Sequence, residues 1–76
     1  MHTLAGQSKH ALLRFGTRLR DLRKKQGLSQ EQLAEEANLD RSYVGGVERG
    51  ERNISLINIT LLARALNVSI KDFFPD

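Results

Sequence analysis

The sequence predicts an all-α domain of five short helices, on three observations. Apolar residues recur three and four positions apart along most of the chain. No segment alternates with the period of a strand. The breaks between periodic stretches carry helix-stop and helix-start residues. A chain of 76 residues allows one domain, too small for a deep core together with an enclosed active site.

The first ten residues, Met1–His10, are polar and aperiodic and are expected to form a flexible tail, leaving 11–76 as the folded domain. The first helix carries Leu12, Phe15, Leu19 and Leu22 on one face and Arg14, Arg18, Asp21, Lys24 and Lys25 on the other, with Gly27 as a left-handed stop. Ser29 opens a second helix, where Gln32 completes a capping box and Leu33, Ala34 and Ala37 face inward as far as Asn38. Asp40 is expected to cap a third helix, with Val44 and Val47 inward and Gly50 as its stop. After the loop Glu51–Ile54, Ser55 caps a fourth helix with the stripe Leu56, Ile59, Leu62, Ala63 and Leu66. Asn67 ends it, and Ser69 with Asp72 opens a last short turn bearing Ile70, Phe73 and Phe74.

Composition removes several function classes. Without cysteine there are neither disulfides nor thiolate metal sites, and a reducing cytoplasm is the expected location. No apolar run approaches the roughly 20 residues of a membrane span, and Met1–Leu13 lacks the apolar core of a signal peptide. His2 and His10 have no partner at ligand spacing, so no metal or other cofactor is expected. There is no Ser-His-Asp or Cys-His set and no Gly-rich phosphate loop, and Glu31, Glu35 and Glu36 read as a solvated face, so an enzyme is not expected. The net charge of +3 is unevenly spread. Residues 1–27 hold seven Lys or Arg against one Asp, a net of +6, and residues 28–76 hold five against eight, a net of −3. A polyanion met by the second half must therefore be held by individually placed residues.

The segment Gln30–Arg49 carries the chemistry. Two short helices are joined by Asn38-Leu39-Asp40, with the small Ala34 in the first and the β-branched Val44 and Val47 in the second. That is what a tight helix crossing requires, and Asn38 can take the left-handed conformation of the turn. Such a scaffold projects a short helix outward, its first residues free to enter a major groove.

Gln30-x-x-Leu33-Ala34-x-x-Ala37-Asn38-Leu39 through Val44-x-x-Val47-Glu48-x-Gly50 resembles the Cro/C1-type (XRE) helix-turn-helix regulators, over about residues 12–74. The string from Asn38 to Asn53 is similar, more narrowly, to the controller proteins of restriction–modification systems. The resemblance implies a lambda-repressor-like, five-helix DNA-binding domain and a regulator acting as a homodimer on a palindromic operator. Antitoxins share this fold, and the alternative is such a protein, binding a toxin as well as its own operator.

Arg41 and Ser42 open the third helix and are expected to reach bases, since an Arg fork fits the O6 and N7 acceptors of guanine. The alternative is that Arg41 meets only phosphate or solvent. Gln30, with Ser29, starts the second helix, where amide and backbone N–H groups can grip a phosphate; otherwise it is a solvated helix start. Tyr43 either reaches the DNA backbone or covers the core edge. Gly45 and Gly46 each cost a helix about 1 kcal/mol relative to alanine, for close approach either of DNA or of the second helix. Gly46, one turn beyond Ser42, is expected on the exposed reading face beside the bases. The controller resemblance adds Arg52 as a base reader and Asn53 and Arg49 as phosphate contacts, against the alternative of a solvated loop. It also implies that Glu48 turns inward to an ion pair with Arg23.

One recognition helix reads few base pairs, so two copies on half-sites about 34 Å apart are expected. A second apolar line on the fourth helix, Ile57, Leu61 and Ala65, together with Ile70 and Phe74, offers the two-fold interface. The alternative is that Phe73 and Phe74 both close the core. Expected partners are thus double-stranded DNA and a second copy, with no small-molecule effector evident.

Overall fold

The computed structural model describes residues 5–75, and for residues 5–7 the backbone only. It contains four α-helices and a C-terminal 3₁₀ turn, with no strand among the described residues. The helices are α1 (Ala5–Lys25), α2 (Gln30–Ala37), α3 (Arg41–Glu48) and α4 (Leu56–Leu66), and the 3₁₀ turn spans Ile70–Phe73. The fifth element is therefore a 3₁₀ turn rather than an α-helix.

All four helices stop in the same way. A left-handed residue follows each one: Gly27 (φ 71°), Asn38 (φ 59°), Gly50 (φ 75°) and Asn67 (φ 56°). Its N–H and that of the next residue turn back onto carbonyls of the last turn, as in Gly50 N to Val47 O at 3.0 Å and Glu51 N to Gly46 O at 2.9 Å. The starts differ more. Ser29 and Gln32 form a reciprocal capping box, with bonds of 3.0 and 2.8 Å, and Ser55 Oγ accepts from Asn58 N at 3.1 Å. Asp40 stands at the N-cap of α3 with extended backbone, but its side chain makes no capping bond.

The core joins Phe15, Leu19 and Leu22 of α1 to Leu33, Ala34 and Ala37 of α2, Val44 and Val47 of α3, Leu62, Ala63 and Leu66 of α4, and Phe73. Ala34, Val44 and Val47 are all buried where α2 crosses α3, and Leu39 N closes the intervening turn onto Ala34 O at 2.8 Å. Three long-range polar bonds pin the periphery. Arg18 Nε donates to Asp72 O (2.7 Å), Gln26 Nε2 to Leu66 O (2.6 Å) and Asn58 Nδ2 to the Tyr43 hydroxyl (3.0 Å).

Several expectations need correction. The Met1–His10 tail is too long, because α1 already begins at Ala5; residues 1–4 lie outside the described residues. A helix nucleated by the packed Phe15–Leu22 section grows by one hydrogen bond per residue, and Lys9 and Ala11 favour that growth. Leu56 is not core: it is 70% exposed, because the buried residues of α4 lie in its second half. Arg18 is not a purely solvated cation, since it ties α1 to the 3₁₀ turn.

Candidate nucleic-acid interface

The orientation of α3 is fixed from behind by a buried ion pair. Glu48, at the end of α3, turns back to α1, where Arg23 Nε and Nη2 donate to its two carboxylate oxygens at 2.6 and 2.9 Å. The side chains are 9% and 3% exposed for Arg23 and Glu48 respectively. A third donor, Gln30 Nε2, reaches Glu48 Oε1 at 2.9 Å, and Arg23 Nη1 also donates to Leu28 O at 2.8 Å. The Arg23 guanidinium is held above its ordinary pKa by the hydrogen bonds it donates to Glu48, with burial opposing and the attraction of the carboxylate adding. Among the described residues, no buried side-chain nitrogen or oxygen is left without a partner. One carboxylate therefore binds α1, α2 and α3 into a single frame.

Gly16 completes that frame. A Cβ at Gly16 would collide with the backbone carbonyl of Val47 and come within 2.5 Å of Glu48 O. The axis of α1 thus runs directly against the end of α3, and only glycine admits it. The sequence carries a signal for this, a glycine beside Phe15 on the inner side of a long amphipathic helix, which its apolar periodicity does not explain.

The outer surface presents Arg41 and Ser42 at the start of α3, both exposed. Tyr43 is half-buried against the core and accepts a hydrogen bond from Asn58, a residue whose place in the helical pattern gives no sign of this role. Arg49 and Arg52 are exposed and fold back over α3, where Arg49 pairs with Glu51 at 3.1 Å and the Arg52 guanidinium lies 5.7 Å from the centre of the Tyr43 ring. Asn53 is exposed in the following loop, and Ser29 is exposed with its hydroxyl capping α2.

The glycine pair differs from expectation. Gly46 is buried, not on an open reading face: the space its missing side chain leaves is filled by Arg52, whose Cγ lies 2.8 Å from the place of a Cβ. The reversal at Gly50 carries the chain back along α3 and lays that arginine across it. Gly45 is likewise covered, by the ends of the Arg49 and Gln30 side chains at 3.2 and 3.3 Å. Gln30 is therefore not a plain solvated helix start; its amide spans Glu48 and the surface of α3.

Toward the C-terminus, Ile57 is 72% exposed, Phe74 56% and Ile70 36%, with Leu61 and Ala65 half-buried beside the core. Phe73 closes the core, whereas Phe74 only leans on Phe15 at 5.7 Å between ring centres. An open recess of about 230 Å³ lies between α1 and the C-terminal turn, lined by Arg14, Phe15, Arg18, Phe73 and Phe74 among others. Among the described residues, no group of metal-ligating side chains is present and no helix is long and apolar enough to cross a membrane.

Known proteins agree with this architecture. A family described as Helix-turn-helix matches residues 19–73. Control protein C.MunI of Mycoplasma sp is 42% identical over 84% of this chain and 88% of its own length. Control protein C.BamHI of Bacillus amyloliquefaciens is 48% identical over 79% and 75% respectively. The crystal structure of the restriction–modification controller protein C.AhdI from Aeromonas hydrophila superposes with a TM-score of 0.85 at 58% identity, covering 86% of this chain and 98% of that one. The controller C.Esp1396I, solved as a tetramer with its natural 35 base-pair operator, gives a TM-score of 0.77 at 36% identity, with 83% of each chain covered. The chain belongs to the Cro/C1-type helix-turn-helix family of DNA-binding transcriptional regulators, alongside the restriction–modification controller proteins.

Proposed function

We propose that the protein is a homodimeric controller that reads a palindromic operator and regulates transcription in the cytoplasm, within a restriction–modification system. The observation that carries this reading is the frame behind α3. A buried Arg23–Glu48 pair, braced by the half-buried Gln30, and a glycine-thin contact with α1 hold a short helix in place, with Arg41 and Ser42 exposed at its free end. Preorganisation of this kind suits recognition, because little has to be ordered on binding. Arg41, Ser42 and Arg52 are assigned to bases. Gln30, Ser29, Tyr43, Arg49 and Asn53 are assigned to the sugar-phosphate backbone. Gly46 is given no base contact, since Arg52 covers it. The exposed Ile57, Ile70 and Phe74, with Leu61 and Ala65, form the two-fold interface. The relative crystallised with its operator supports the reading by similarity.

Selection from random duplex DNA, followed by footprinting, tests it. The expected product is a short palindrome whose half-sites lie about one helical turn, roughly 34 Å, apart, protected by a dimer. Retention of DNA only non-specifically, with affinity collapsing at moderate salt and no sequence enriched, would refute it.

A further inference from the structure

Arg52 is exposed and lies in a loop, where an arginine ordinarily samples many rotamers, yet three features of the fold hold it. The stop of α3 turns the chain back: Gly50 takes φ 75°, and Glu51 N donates to Gly46 O at 2.9 Å. The aliphatic stem of Arg52 then crosses α3 at Gly46, with Cγ 2.8 Å, Nε 3.3 Å and Cδ 3.6 Å from where a Cβ would stand. Its guanidinium comes to rest 5.7 Å from the centre of the Tyr43 ring, within reach of a cation–π contact. The ring itself is anchored by Asn58, which donates to its hydroxyl at 3.0 Å.

A methyl group at position 46 would not disturb a backbone or a core side chain, because all three nearest atoms belong to Arg52. It would lift that arginine off the helix. The glycine also lies inside a helix, where it is unfavourable, so its presence calls for a local reason. We propose that Gly46 is a positioning residue for sequence recognition: its missing side chain is the seat that holds Arg52 against Tyr43 in the pose that reads DNA. The role rests on the assignment of Arg52 to bases under the proposed function. Gly46 itself touches no base; it acts by sparing Arg52 the ordering cost of binding and by fixing where the guanidinium points.

A double-mutant cycle on the palindrome selected by the unmodified protein tests this, with affinity read by fluorescence anisotropy. Gly46→Ala and Arg52→Ala are each expected to weaken binding about tenfold and to relax preference at the same base pair. In the Arg52→Ala background, Gly46→Ala is expected to have no further effect. The melting midpoint of Gly46→Ala should equal or exceed that of the wild type, since alanine favours the helix. Without DNA, the Arg52 side-chain methylene protons should show ring-current shifts from Tyr43 in NMR spectra, and Gly46→Ala should abolish them. Undiminished affinity of Gly46→Ala would overturn the proposal. So would an equal loss in both backgrounds, which would mean that the glycine gives clearance to DNA directly, and so would ring shifts that survive the substitution. A wild-type protein that selects no sequence would remove the reading role of Arg52, and this role with it, while the NMR shifts would still report on the seat alone.

Discussion

Replacing Glu48 by alanine removes the acceptor of two N–H groups of an arginine that is only 7% exposed. Arg23 keeps its bond to Leu28 O, and Gln30 lies nearer the surface where water can serve it, so the cost falls on Arg23. Leaving one partner of a buried pair uncompensated costs about 3–5 kcal/mol. A domain of this length has a total stability of about 4–11 kcal/mol, so the substitution removes a large part of it. At about 4–8 °C per kcal/mol, the melting midpoint should fall by about 12–40 °C. Circular dichroism melts and urea titrations, at one fixed protein concentration and without DNA, measure this directly. DNA binding should weaken as well, because the frame behind α3 is lost. The double variant Arg23→Met with Glu48→Leu separates charge pairing from packing, and should melt within about 1 kcal/mol of the wild type or above it. The pH dependence has a definite sign. The folded value of Arg23 lies above the unfolded one, so its contribution is complete below the unfolded value and is lost only as pH rises through the folded one. The gap between wild type and Glu48→Ala should therefore stay flat from about pH 7 to 10, well below where arginine titrates. An unchanged midpoint in Glu48→Ala would refute the reasoning.

Gly16→Ala should destabilise by about 1–3 kcal/mol in urea titrations although alanine is the better helix former, because the added methyl meets the Val47 and Glu48 carbonyls rather than a yielding side chain. Arg41→Ala should weaken binding to the preferred operator by about 1–3 kcal/mol and relax preference at one base pair of each half-site, as competition among operator variants would show. Arg49→Ala should instead weaken all sequences alike and lower the slope of log affinity against log salt by about 1 per protomer. Ile57→Glu, at a position 72% exposed in the single chain, should leave the helical circular-dichroism spectrum intact while sedimentation shows only monomer.

The local elements were legible in the sequence because their causes are local. Capping residues at Ser29 and Ser55, left-handed residues at Gly27, Asn38, Gly50 and Asn67, and the apolar spacing of Phe15, Leu19 and Leu22 act through neighbours a turn away. The likeness to controller proteins likewise rests on a continuous string of residues, and the similarity to C.MunI and C.AhdI agrees with it. What the sequence could not decide was which surface covers which. Gly16 faces carbonyls from a helix more than 30 positions away, and Gly46 lies beneath Arg52 because the reversal at Gly50 folds the loop onto α3. Both glycines look alike in sequence, as gaps in a helical pattern. In the tertiary structure one admits a backbone and the other an arginine, and so one governs stability while the other is assigned to recognition. Leu56 fits the core period of α4 and still stands in solvent, because periodicity specifies a face of a helix but not how far along its length the neighbouring helices reach.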